Sequence, residues 1–78
     1  MEPVQVEFYV DADGKVTPRS FFWHGRTHPI DSIGRRWQDE QGQHYLVMIA
    51  GGRVFELLFV SENMQWILRQ SGRSRWTV

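Results

Sequence analysis

Strict alternation of apolar and polar residues is the feature that most limits what this chain can fold into. The segment VQVEFYV places Val4, Val6, Phe8 and Val10 on one side of an extended chain. A period of two is typical of a half-buried β-strand and excludes an amphipathic helix, whose apolar residues recur every 3.6 positions. The same period returns through most of the chain, so we expect an antiparallel all-β fold.

A second strand through RSFFW leads into a hairpin whose register the sequence fixes. His24-Gly25 forms its two-residue loop, because Gly adopts positive φ at no cost and His tolerates it better than most residues. This loop pairs Trp23 with Arg26 and Phe21 with His28, so one face holds Phe21, Trp23, Arg26, His28 and Ile30. We expect that face to line the core, with Arg26 lying across Trp23 and Phe22 pointing outward.

The following segment, DSIGRRW, is ambiguous. Ile30, Ile33 and Trp37 have helical spacing and Asp31 could cap a turn, whereas Gly34 could form a bulge in a continuing strand. Strand-like flanks favour the bulge. Pro29 lacks a ladder donor, so the strand is at an edge or bulged there.

The clearest hairpin joins HYLVMIA to RVFELLFV through a loop at Gly51-Gly52. That loop pairs Met48 with Phe55 and leaves a second apolar face on the reverse side. If the other strands do not cover this face, it is larger than soluble monomers usually expose and would bind a protein partner or a second copy. Its residues are Tyr45, Val47, Ile49, Val54, Leu58 and Val60.

Five or six antiparallel strands in 78 residues predict one domain, residues 1–78, folded as a small SH3-like, partly open β-barrel. WILRQ forms the final strand and SGRSRWTV a short closing segment. With no cysteine, no disulfide can supplement so small a core, which the aromatic residues must fill.

The N-terminal segment lacks the basic and apolar regions of a signal peptide, and no apolar run is long enough for a membrane span. We therefore expect a cytoplasmic protein that does not enter a membrane.

No enzyme motif is present, so we expect neither catalysis nor a cofactor. A phosphate-binding glycine loop, a nucleophile elbow and a His–Glu helix motif are all missing from the sequence. His24 and His28 have a spacing found among metal ligands, but no cysteine supports them, and we expect no metal. Glu56 stands alone in an apolar strand, where we expect it to point outward and pair with a neighbouring arginine.

Binding of single-stranded nucleic acid, in particular DNA, is the alternative function. Small barrels bind single strands by combining basic grooves with aromatic stacking platforms. The hairpin region 19–37 offers both through Arg19, Phe22, Arg26, Arg35, Arg36 and Trp37. A net charge of zero counts against this function, because nucleic-acid-binding domains are usually basic. A non-catalytic protein-interaction module remains the first hypothesis.

The pattern Phe21-x-Trp23-x-Gly25-Arg26-x-His28-x-Ile30, followed by Ile33, Trp37, VFEL at 54–57 and Trp66, resembles a group of small uncharacterised bacterial domains. Their pattern runs Phe-x-Trp-x-Gly-Arg-x-Tyr-x-Val, with His28 here replacing the commoner tyrosine. Some members occur beside, or are labelled as, translesion DNA polymerase or nucleotidyltransferase components. The resemblance implies at most a role near DNA repair, and it transfers no catalytic residue.

Overall fold

The alternation produces six β-strands, joined by short turns, in a computed structural model that describes residues 2–70. Consecutive strands pair antiparallel, and β1 also pairs with β6. The predicted closing segment, SGRSRWTV, lies outside the described residues. The strands are β1 (Glu2–Val10), β2 (Val16–Trp23), β3 (Arg26–Gln38), β4 (Gln43–Ile49), β5 (Val54–Val60) and β6 (Gln65–Gln70), with a 3₁₀ turn at Ala50–Gly52.

The predicted fold class, a small antiparallel β-barrel, is confirmed. Where the sequence predicted partial opening, the barrel is closed by β1 and β6 through the pairs Glu2–Leu68, Pro3–Ile67 and Val4–Trp66. Closure gives both outer strands of the meander a partner and so removes edges that promote aggregation. The interior is filled by Phe21, Trp23, Tyr45, Val47, Ile49, Phe55, Leu57, Phe59, Trp66 and Leu68.

The predicted register of the first hairpin is confirmed. Trp23 pairs with Arg26 and Phe21 with His28. Phe21 is 1% exposed whereas Phe22 is 48% exposed, so the two neighbouring rings lie on opposite faces of β2. The half-buried His28 ring stacks on Phe21 with centroids 5.4 Å apart.

The expectation that Arg26 covers Trp23 is wrong. Arg53, from the turn between β4 and β5, places its Cζ 5.2 Å from the Trp23 ring centroid. The His24 ring also stacks on Trp23, at 3.8 Å. Because Arg53 and His24 supply the neighbours of this ring, Arg26 stays exposed at the rim.

The segment DSIGRRW is strand, as the flanking residues favoured, and no helix interrupts β3. The pairing of β3 with β4 shifts register between Ile30 and Ser32 and again between Ile33 and Arg35. Each shift accommodates one extra residue and bends the strand. The first part of β3 pairs with β2 along one edge as far as Pro29, and the rest of β3 pairs with β4 along the other edge.

The predicted register between β4 and β5 is wrong by one residue. The connection contains Ala50, Gly51 and Gly52 rather than the two glycines alone, and the Ile49 N–H donates to the Arg53 carbonyl at 3.0 Å. The observed partner of Phe55 is therefore Val47 instead of Met48. Because side chains alternate along a strand, a slip of one residue exchanges the faces that two strands share.

This slip removes the predicted protein interface. Tyr45, Val47 and Ile49 point into the barrel, together with Phe55, Leu57 and Phe59. Val54, Leu58 and Val60 lie on the other face of β5, where Val54 and Leu58 are nevertheless buried and Val60 is half-buried. The prediction that these six residues share one apolar face is therefore wrong, because Tyr45, Val47 and Ile49 face the interior whereas the other three lie on the opposite face.

Replacing Phe21 with alanine should destabilise the domain far more than the same change at Phe22. Truncating a buried phenylalanine costs about 3–5 kcal/mol, a large part of the roughly 4–12 kcal/mol expected for a domain of this size. Phe22→Ala removes a ring that is half exposed and should cost less than about 1 kcal/mol. Urea unfolding monitored by circular dichroism compares the two variants, and equal losses would contradict the assigned faces.

Candidate functional site

A groove opens in the surface where β1 and β6 separate. The two strands pair only as far as Val4 and Trp66, after which β1 continues along β2 while the chain turns from β5 into β6. The space left beside the seam has a volume of about 840 Å³. We call it the seam groove; it is lined by Pro3, Val4, Gln5, Val6, Phe8, Asn63, Met64, Gln65 and Trp66.

One side of the seam groove is the main chain of β1. From Gln5 to Val10 this strand pairs with β2, and within residues 2–70 it has no strand partner on its other edge. In an antiparallel pair, alternate residues direct their N–H and C=O groups away from the partner. As far as residues 2–70 are concerned, the groove therefore offers backbone donors and acceptors that have no strand partner, beside apolar side chains.

The floor of the seam groove is aromatic. The half-buried Phe8 ring lies 5.4 Å from Trp66 and 5.8 Å from Phe59, measured between centroids. Trp66 is only 4% exposed, and its Nε1 has no hydrogen-bond partner within the described part of the chain. These rings give the groove a rigid base that is continuous with the core.

Met64 lies at the rim of the seam groove with a strained backbone conformation. Its φ of 55° is in the left-handed region, which costs about 1–2 kcal/mol for a residue with a side chain. Its side chain is 66% exposed, the largest value among the exposed large apolar residues. Sequence analysis missed this site, although a methionine in the turn SENMQ, where glycine or asparagine is usual, was a detectable signal.

Acidic residues collect at the end of the barrel where the seam groove lies. Successive antiparallel strands run in opposite directions, so the turns β1–β2, β3–β4 and β5–β6 meet at one end. We call this the acidic end, because these turns contain Asp11, Asp13, Asp39, Glu40 and Glu62 together with Lys15. The other two turns, at His24-Gly25 and Ala50–Arg53, lie at the opposite end with Arg26 and Arg53.

The structure divides the predicted nucleic-acid residues among several places. Arg19 and Arg36 line one cleft of about 380 Å³ between β2 and β3, which also contains Asp31. Arg35 lies on Trp37, with its Cζ 4.9 Å from the ring centroid.

The remaining two predicted residues lie elsewhere. Phe22 is on the outer face of β2, paired with Gln5 and Thr27, and Arg26 is at the opposite end from the acidic turns. The six residues therefore form no single surface.

Tyr45 meets its polar partners at the first residues of β2 and β4. The Tyr45 hydroxyl lies 2.8 Å from Gln43 Oε1 and 3.0 Å from the Val16 carbonyl, and it donates to one of them at a time. Burial raises the pKa of Tyr45, opposed by the charge of Arg36, whose Cζ is 5.7 Å from the ring centroid. Tyr45 thus closes this end of the core and supports Arg36.

A carboxylate–imidazole–carboxylate group lies on the outer face of β4 and β5. His44 Nε2 is 2.8 Å from Asp39 Oδ1, and His44 Nδ1 is 2.7 Å from Glu56 Oε2. Glu56 also lies 3.6 Å from Arg69 Nη1, so it points outward and has an arginine partner, as the sequence predicted. Trp37 stacks on the imidazole with centroids 4.8 Å apart and 5° between the planes.

This group fixes a loop rather than exposing a reactive base. The His44 side chain is 3% exposed, and each ring nitrogen already faces a carboxylate. Only a ring protonated on both nitrogens donates to both carboxylates. The contact ties the β3–β4 loop to β5. Glycine at position 42 lets the loop approach β5 closely, because a Cβ there would lie 2.2 Å from the Phe59 carbonyl oxygen.

Replacing Asp39 with asparagine should make the domain less stable at neutral pH but not at acidic pH. The hydrogen bond from His44 lowers the pKa of Asp39, helped by the N–H of Gln41. A lowered folded-state pKa adds stability above the unfolded value of about 3.9, and this stability is lost as pH falls through the folded-state value. Urea midpoints of wild type and Asp39→Asn should therefore converge between about pH 5 and pH 2.

Glu40→Gln is the matched control for that measurement. It removes a carboxylate from the same exposed loop, but Glu40 makes no side-chain hydrogen bond or ion pair among residues 2–70. Its midpoint should follow the wild-type curve at every pH. A difference between Asp39→Asn and wild type that does not change with pH would contradict the role given to His44.

Comparison with protein-family models, with curated proteins and with solved structures gives no match for this chain. Among the described residues there is no helical segment with the length and apolar character that a membrane crossing requires. The same residues contain no cluster of three or more His, Cys, Asp or Glu side chains arranged to hold a metal ion.

Proposed function

We propose that the domain is a non-catalytic interaction module that binds an extended segment of a partner protein in the seam groove, as an added strand beside β1. The observation that carries the proposal is Met64. Its backbone is strained and its apolar side chain is mostly in water, so the strain costs stability and no burial of the side chain offsets it. An added strand would cover this side chain.

The backbone of β1 supports the proposed mode of binding. Peptides that extend a sheet gain affinity from main-chain hydrogen bonds and specificity from pockets for alternate side chains. The edge of Gln5–Val10 supplies the main-chain groups, and the rings of Phe8 and Trp66 with Met64 supply the apolar pocket. Apolar residues at every second position of the partner segment would fill it.

Charge selects the kind of segment. The residues lining the seam groove carry no charge, and their neighbours along the chain include Glu2, Glu7 and Glu62. The groove also opens toward the acidic end. A segment with arginine or lysine between its apolar residues therefore complements the groove, whereas an acidic segment is repelled.

The same charges disfavour a second copy as the occupant. If β1 of another copy extended the sheet, its Glu2 and Glu7 would enter a surface that already contains these glutamates. Like charges facing each other across two strands are destabilising. A basic partner protein is the better fit.

Binding of a designed peptide tests the proposal. The probe is a hexapeptide that alternates arginine with valine, labelled with fluorescein at its N-terminus and amidated at its C-terminus, and binding is measured by fluorescence anisotropy. A peptide with glutamate in place of arginine should bind at least about tenfold more weakly, equivalent to about 1.4 kcal/mol. Equal affinity for the two peptides would overturn the charge argument. In an NMR titration with the arginine peptide, the backbone amide signals of Gln5–Phe8 and Gln65 should change. Changes confined to other residues would overturn the site.

Met64→Gly separates binding from folding. Glycine relieves the left-handed strain, so the free energy of unfolding should not fall, while the lost apolar contact should weaken peptide binding by about fivefold to thirtyfold. Phe22→Ala is the matched control, because it removes another exposed apolar side chain that does not line the groove, although its strand partner Gln5 does. Equal losses of affinity in the two variants would rule out the seam groove.

A further inference from the structure

The topology that makes one end of the barrel acidic also makes the opposite end basic. The loop His24-Gly25 and the turn Ala50–Arg53 lie there, and Arg26 follows the first of them directly. We call this the basic end and define it by His24, Arg26 and Arg53. β6 also finishes at this end, with Gln70.

We infer that the basic end binds the sugar-phosphate backbone of single-stranded nucleic acid, independently of the seam groove. Arg26 and Arg53 make no ion pair within the described residues. Their guanidinium groups are therefore free to bind phosphate, and guanidinium matches phosphate geometry with two parallel hydrogen bonds. The acidic end, at the other side of the molecule, orients the domain with its basic end toward a polyanion.

Arg53 is held in place before any ligand arrives. Its Cζ lies 5.2 Å from the centroids of both Trp23 and Phe55, two rings of the core. A guanidinium resting on rigid rings loses less conformational freedom on binding than one on a free side chain. Sequence analysis missed Arg53, because its position beside Trp23 depends on two turns meeting at one end of the barrel.

The backbone at the basic end is open to a phosphate group. Gly25, Gly51 and Gly52 have φ values of 78°, 87° and 79°, and a Cβ at any of them would meet no atom within 4 Å. Turns with left-handed residues direct successive N–H groups toward one side, which forms a concavity for anions. Without side chains on these glycines, a phosphate oxygen can approach the N–H groups closely.

An aromatic platform at the basic end favours a single strand over a duplex. The exposed His24 ring stacks on Trp23 with centroids 3.8 Å apart and 17° between the planes. A base can extend this stack on the outer side of the imidazole, and stacking on aromatic rings is available to unpaired bases of any sequence. Glu2 is the opposing charge, since it lines a small cavity there with Trp23 and His24.

Anisotropy of a labelled oligothymidylate of about twelve nucleotides, titrated from about 50 to 200 mM salt, tests the inference. Binding should weaken with salt, and Arg26→Gln should lower the affinity about threefold to tenfold and reduce the salt slope by about 0.7. Arg53→Gln should have a similar effect, with Arg53→Lys recovering part of the affinity if Gln disturbs the packing on Trp23. Glu2→Gln should strengthen binding.

Arg35→Gln is the matched control, because it removes the same charge from an exposed position on the outer face of β3. It should change the affinity less than twofold. A loss equal to that of Arg26→Gln would show that net charge alone governs binding and would overturn the site. Equal affinity for a duplex of the same length would overturn the preference for a single strand.

The two proposals fail separately. Arg26→Gln lies at the opposite end from Met64, so it should leave binding of the arginine–valine peptide unchanged. No binding of the oligothymidylate at the lowest salt would refute the nucleic-acid site without affecting the seam groove. In the same way, Met64→Gly should weaken peptide binding and leave the affinity for the oligothymidylate unchanged.

Discussion

Closure of the barrel by β1 and β6 is the interaction on which the rest of the structure depends. Among residues 2–70, three residue pairs make this closure, and they join the first residues of β1 to Trp66, Ile67 and Leu68 of β6. They turn an open meander into a ring around the aromatic core, which a small chain without cysteines needs for stability. Because the pairing stops at Val4 and Trp66, the same contact leaves the edge of β1 open beyond that point. Stability and the seam groove therefore have one origin.

The double bend in β3 is the second condition for closure. β3 pairs with β2 along one edge as far as Pro29 and with β4 along its other edge from Ile30 onward, and the register shifts beside Asp31 and Gly34 bend the strand between these two regions. The cleft containing Arg19 and Arg36 lies where the pairing of β2 with β3 has ended. The seam groove and this cleft thus both lie where the pairing of two neighbouring strands stops.

Sequence reasoning succeeded where a short turn fixed the register and failed where the turn was ambiguous. His24-Gly25 stands alone between two strands, so the pairing of Trp23 with Arg26 followed directly. In Ala50-Gly51-Gly52 the loop could contain two or three residues, and a change of one residue moved Tyr45 from a supposed surface into the core. Alternation identifies which residues share a face within a strand, but only the register says which faces of two strands coincide.

The candidate sites were less accessible to sequence reasoning, for a related reason. Asp39, His44 and Glu56 come from a loop and two strands, so their contact appears only once the register is known. The alternation of β1 continues without change to Val10, so nothing in the pattern marks Val4 as the last residue paired with β6. That limit is set by the curvature of the closed barrel, which is a property of the whole sheet.

Aromatic rings of the core and of the surface account for the positions of several arginines. Guanidinium groups lie on Tyr9, Trp37, Tyr45 and Trp23. A planar guanidinium covers a ring at the barrel rim and stays charged, which an ammonium group does less well. Several cationic positions are therefore set by neighbouring aromatic rings. The charge difference between the turns at the two ends comes from the turn residues themselves, because the ring-bound Arg35 and Arg36 lie on β3 close to the acidic end.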